Sequence, residues 1–365
     1  MNALHLAEQA TLGALMVDPH LPVQVTGWLR AEDFAHPWHA SVYATIRELH
    51  TAHEPVEPGR VGRELAHRLG YRTADLPQLV DLLQAAPSRP AGRRYAAMVL
   101  EAALRRQTAC QAVLLQAAAL SAALAGHSRP VVRTARQIDD TLTAAETRWA
   151  VASRVSAVPA REPLTARLTS LGDGVAADRI MQAHPPLDLA AVATDEAALV
   201  ASLASHHAAI PRTVTWLKPD ALINPEWRAV YSAVLQLHEL GEPIDAVTLA
   251  WEVRRTSSRL GPGPATRDLR DGIEVAASRD PIHAGRVVAS DHLRLTADRA
   301  ADALRQCAAN PGIDLSDVLA TGHLLTAAVR DSSHPLPDIA AAPSDAGREN
   351  GTRRTRTATT LAMTR

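Results

Sequence analysis

The stretch from Trp28 to Val56, WLRAEDFAHPWHASVYATIRELHTAHEPV, has a counterpart from Trp216 to Ile244, WLKPDALINPEWRAVYSAVLQLHELGEPI. The offset is 216 − 28 = 188 positions. Without a gap, the same offset pairs Glu8 with Glu196, Leu15 with Leu203, Pro37 with Pro225, Tyr43 with Tyr231, His50 with His238 and Glu64 with Glu252. A further shift of two positions aligns Ser88-Arg89 with Ser278-Arg279. Aromatic residues make up only 3% of the chain, so composition does not align Trp, Pro and Tyr in this way. The sequence reads as a tandem duplication, and a repeat of this length fixes the organisation before any finer reading.

Both copies predict the same series of helices. Asn224-Pro225-Glu226 is a favourable helix start, with Asn as N-cap, Pro at the first helical position and Glu near the positive end of the dipole. His36-Pro37 takes those places in the first copy. Beyond it Val42, Tyr43, Ile46 and Leu49 follow helical spacing and define one buried stripe, which Val230, Tyr231, Val234 and Leu237 repeat. Trp28, Phe34 and Tyr43 are assigned to the core of the first copy and Trp216, Leu222 and Tyr231 to the second, Leu222 keeping the Phe34 position apolar.

Around this centre, a first helix is expected over Leu4 to Val17, another over Pro58 to Leu69 and a shorter one near Asp75 to Ala86. A long Ala-rich helix from about Pro90 to Gly126 then reverses at GHSRP into Val131 to Trp149, forming an αα-hairpin. Its counterpart runs from His283 to Ala309, breaks at Asn310-Pro311-Gly312 and returns over Asp314 to Val329. The expected organisation is a first domain over residues 1–150, with a head at 1–88 and a hairpin at 90–149. A linker at 151–185 leads to a second domain over 186–330, with its head at 190–280 and its hairpin at 283–330. The linker is rich in Pro, Gly, Ser and Thr, with room for one weak helix. A tail over 331–365, with the basic cluster RRTR at Arg353 to Arg356, reads as disordered.

Composition agrees with an all-α protein. Much of the 47% apolar content is Ala and Leu, and β-branched runs are scarce. Net charge is −1 and the pI about 7.0, so no global field draws the chain to nucleic acid or to an anionic surface. No secretory leader and no apolar run near the ~20 residues of a membrane span are evident, which makes a cytoplasmic protein without membrane attachment the expectation. Cys110 and Cys307 lie far apart and read as buried free thiols.

The order AEQATLGALMVDP, then LRAEDFAHPWHASVYATIRELHTAHEPVEP, LLQAAPS and a Tyr-containing helix ending in LRRQ resembles the N-terminal domain of bacterial replicative DNA helicases of the DnaB type. The resemblance is close over Leu6 to Gln107 and recurs with weaker motifs from Glu196 to Val288. It implies a small helical head followed by a helical hairpin that pairs with neighbouring subunits and docks a primase or loading factor. It implies no catalytic residue. In those helicases ATP hydrolysis belongs to a following RecA-like motor, whose P-loop needs Gly-Lys-Ser/Thr to hold phosphates. The only lysine here, Lys218, lies between Leu217 and Pro219, so no such motif is present and no enzymatic activity is expected.

Two residue groups invite a chemical reading. His36-x-x-His39 and His50-x-x-His53 have ligand-like spacing, but along one helix the pairs stand roughly 21 Å apart and do not share an ion. The second copy has Asn224, Trp227 and Gly241 in place of His36, His39 and His53, so capping or surface roles are expected, with no metal and no cofactor. Arg89, Arg93, Arg94, Arg105 and Arg106 form one basic cluster, and Arg254 and Arg255, with Arg259, another. They are candidate contacts to phosphate or to a protein partner. No H-E-x-x-H, G-x-S-x-G or strand-placed G-x-G-x-x-G motif occurs.

The expected function is that of a non-catalytic interaction module in DNA replication, with a replicative helicase, a primase or a helicase loader as partner. Self-association through the hairpins is the further expectation, the fused copies forming an intramolecular pseudo-dimer. The alternatives are a DNA-binding accessory factor acting through the Arg clusters, or a motorless relic of a helicase.

Overall fold

Each of the two central prolines opens a helix: Pro37–Thr51 begins after His36, and Pro225–Leu240 begins after Asn224, whose side chain accepts from the Glu226 N–H at 2.8 Å. Proline is suited to this place because the first helical N–H has no intrahelical acceptor. The computed structural model describes residues 2–72, 74–86, 91–153, 177, 179–184, 186–260, 270 and 280–336. No strand occurs among them, and the fold is all-α.

In the first segment the helices are α1 (Ala3–Val17), α2 (Leu21–Val25), α3 (Pro37–Thr51), α4 (Pro58–Leu69), α5 (Leu76–Gln84), α6 (Gly92–Ala125) and α7 (Arg129–Ser153). In the second they are α8 (Leu189–Ser205), α9 (Ile210–Val214), α10 (Pro225–Leu240), α11 (Ala246–Leu260), α12 (Pro281–Ala309) and α13 (Leu315–Ser332). Single 3-10 turns at Ala31–Asp33 and Pro219–Ala221 precede α3 and α10. A counterpart of α5 would fall at 261–279, outside the described residues apart from 270.

In the first segment α1 packs on α3, α5 and α6, so the small helices stand on the N-terminal part of the hairpin. Gly13 permits the contact with α5, because a Cβ there would collide with the Leu82 carbonyl oxygen, a backbone atom. The second segment repeats the arrangement, with α8 against α10 and α12. The two hairpins then lie on each other, α6 along α12 and α7 along α13. One hydrophobic core runs continuously through both segments, and Ala112, Ala301 and Leu304 form a small satellite at the seam.

Several boundaries differ from expectation. Helix α7 continues to Ser153, past the expected start of the linker, while residues 179–182 are helical where the linker had room for a weak helix. Residues 331–336, expected to open a disordered tail, are ordered: α13 ends at Ser332, and Leu336 is buried beside the first turn of α12. Residues 337–365, with Arg353 to Arg356, lie outside the described residues. Helix α6 is long and apolar enough to cross a bilayer by composition, with a window of mean hydropathy 1.5, contrary to the reading that no run qualifies. Half of that window is buried, where α6 packs against α1, α7 and α12.

Candidate interaction surface

The heads are fastened to their own helices by hydrogen bonds that recur at the 188-residue offset. The Tyr43 hydroxyl donates to the Leu29 carbonyl at 3.0 Å, and Tyr231 donates to Leu217 at 2.9 Å. Both rings are fully buried, and burial pushes both phenols well above their ordinary range. Glu8 on α1 accepts from the N–H of Ala35 at 2.6 Å and of His36, and Glu196 on α8 accepts from Ile223 and Asn224. Each carboxylate thereby caps the entry to the following helix from a different element, where negative charge meets the positive helix end.

Their electrostatics diverge. Burial raises both carboxyls, but Glu8 also accepts a 2.7 Å hydrogen bond from His39 and falls below its ordinary value. Glu196 has Trp227 at that position and stays raised, burial outweighing its backbone hydrogen bonds.

The expected core residues hold with one correction. Trp28, Phe34, Tyr43, Leu222 and Tyr231 are buried, with Phe34 and Tyr43 rings 5.0 Å apart. Trp216 is only half-buried and leans over the α12 backbone, where a Cβ on Gly285 would sit 2.6 Å from the indole. The Trp216 ring lies at the edge of a cleft shared with Ser128, Val132 and Leu336. The thiols of Cys110 and Cys307 are half-buried rather than buried, and neither forms a disulfide.

Three of the seven arginines singled out as phosphate contacts, Arg93, Arg105 and Arg106, serve the fold. Arg93 donates to the Val151 carbonyl at 2.7 Å and stands over the Trp28 ring. Arg106 donates to the Asp33 carbonyl at 2.6 Å. Arg105 pairs with Glu101 and donates to the carbonyls of Asn310 and Ile313, in the turn between α12 and α13. Arg94 is exposed, as are Arg254 and Arg255, the latter paired with Glu252 at 2.9 Å. Arg89 lies outside the described residues. Guanidinium groups tied to backbone carbonyls of their own chain are held in the fold, so the α6 arginines do not form one open basic surface.

Sequence reasoning missed two groups. Arg148 on α7 donates to the Trp28 carbonyl at 2.9 Å and forms a buried ion pair with Asp33, tying the first head to its hairpin. The second segment has Ala221 at the Asp33 position, so no repeat signal marked this pair. The other group is at the seam. Asp139 on α7 pairs with His323 at 3.0 Å and Arg330 at 3.4 Å on α13. Gln116 on α6 accepts from Arg305 at 2.9 Å and donates to Asp298 at 2.9 Å on α12. Close approach is secured by Gly322, where a Cβ would lie 2.9 Å from Leu142. Small residues on facing helices let backbones approach, and the polar pairs at the margins fix register.

Of the capping and surface roles expected for the histidines, His36 takes the surface one and His39 takes neither. His36 makes no cap hydrogen bond and lies exposed at the start of α3, whereas His39 is buried on Glu8. His53 ends α3 in the left-handed conformation with φ 55°, where Gly241 ends α10 with φ 68°.

The sequence matches the family model of the DnaB-like helicase N terminal domain over residues 1–101 and 190–264. Among curated proteins it is similar to the replicative DNA helicase DnaB of Mycobacterium leprae (strain TN), with 34% identity over 102 residues. That alignment covers 28% of this chain and 17% of the helicase, so the chain matches about a sixth of that relative's length. No solved structure matches. Most of α6 beyond residue 101, and all of α7, α12 and α13, lie outside the matched spans.

Proposed function

We propose that this chain is a non-catalytic interaction protein of DNA replication, made of two fused head units whose hairpins are each other's partner. The observation that carries this reading is the seam: α6 and α7 bury against α12 and α13 with polar pairs in register along both contacts. The two spans matched by one family model, and the hydrogen bonds repeated at a constant offset, support duplication as its origin. Since the hairpins are occupied, the surfaces left for a replicative helicase, a primase or a loader are those of the heads. The chain is proposed to hydrolyse no ATP, in keeping with its single lysine between leucine and proline. The DNA-binding alternative loses ground because Arg93, Arg105 and Arg106 are engaged internally.

The test is binding of the purified full chain to the replicative helicase and primase of its own cell. Capture of at least one is expected, reduced at least tenfold by Trp251→Glu on the exposed face of α11 together with Tyr71→Glu beyond α4. Failure to capture either partner, or salt-dependent binding to a short duplex instead, overturns the proposal.

A further inference from the structure

We infer that His5, Glu8 and His39, with His36 as fourth donor, form a binding site for a zinc-class divalent cation on the first head. The first three residues each offer one donor atom, and these atoms all lie within 4.8 Å of one another. His36 stands beside the group, its ring centroid 4.6 Å from His39 and 5.9 Å from His5, and His5 stacks on His39 at 5.0 Å. A tetrahedral ion with bonds of ~2.0–2.2 Å holds its ligands roughly 3.4 Å apart. Rotation of His5, half-exposed in the first turn of α1, supplies the remaining closure. The donors grade from buried Glu8 and His39 to exposed His36, which leaves the group open to solvent on one side.

The second segment serves as an internal control. Glu196 performs the same capping task as Glu8 on the same scaffold, yet the positions of His5, His36 and His39 hold Ala193, Asn224 and Trp227. The fold therefore does not need the three imidazoles, and they have been gathered around a carboxylate that is already in place. Three imidazoles and one carboxylate suit zinc better than calcium or magnesium, which take oxygen ligands. The ion would join α1 to the start of α3, the contact Glu8 already makes through hydrogen bonds.

The experiment uses the untagged full chain, stripped with a chelator and titrated with zinc against a chromophoric competitor. One equivalent is expected to bind, with a zinc-dependent rise in melting temperature and an absorption spectrum of nitrogen and oxygen neighbours only. His5→Ala with His36→Asn, the residues of the second segment, is expected to weaken binding at least tenfold and abolish the thermal shift. His36→Asn alone, at an exposed position, is expected to give an intermediate loss with unchanged circular dichroism. His50→Ala with His53→Ala should leave binding unchanged. The inference is overturned if the unaltered chain fails to compete for zinc, if the double variant at His5 and His36 binds within threefold of it, or if the His50 and His53 variant loses the ion.

Discussion

His53 is the residue at which the two segments differ most plainly in backbone cost. It holds a left-handed conformation at the end of α3 that Gly241 adopts at the end of α10. Glycine enters this region without the Cβ clash that costs other residues about 1–2 kcal/mol. His53→Gly is therefore expected to stabilise the protein by about 1 kcal/mol, read as a higher denaturant midpoint at unchanged slope. Equal midpoints would mean that the histidine side chain repays its strain. The sequence displayed this substitution openly, because His53 and Gly241 share one place in the repeat. It did not display the setting of His39: spacing along a single helix compares His36 with His39 but says nothing of His5, which approaches from α1. A site assembled from two helices is legible only once their packing is known.

Among the elements, the four hairpin helices carry the contact that makes one body of the chain. Helical periodicity and the breaks at Gly126 and Asn310 disclosed α6, α7, α12 and α13 within a few residues, but not which faces meet. Alanine on nearly every side of α6 left its periodicity shallow, and only the partner helix distinguishes one alanine face from another. Arg105 illustrates the consequence, since its charge read as surface while its acceptors lie about two hundred residues further along the chain. The seam's tolerance is narrow at Gly322, where Leu142 already occupies the space a side chain would need. Gly322→Leu is expected to destabilise by about 1–3 kcal/mol through overpacking, separating α7 from α13. Differential scanning calorimetry checks it, with Leu142→Ala in the same chain restoring part of the loss; a Gly322→Leu chain as stable as the original would show that the seam is loose.

For the whole molecule, the contact between the two segments is an internal equilibrium, not a bimolecular one. The two segments share a core, so unfolding is expected as one cooperative transition with a midpoint independent of protein concentration. Two resolved transitions, or a midpoint that climbs with concentration, would separate the halves. The all-α class was legible from the sequence because Ala and Leu dominate its apolar content and β-branched runs are scarce. The ion pair of Arg148 with Asp33 was not, because it exists in one segment only. That same inequality extends to the outer faces. Exposed Trp251 and Val247 on α11 stand where α4 has Arg63 and Gly59. Two identical subunits related by a twofold axis present every recognition face in duplicate, so whatever one arm grips the other must grip as well. A single chain with unlike arms is released from that rule: one arm is free to hold while the other hands over, giving the molecule a direction that no symmetric pair possesses.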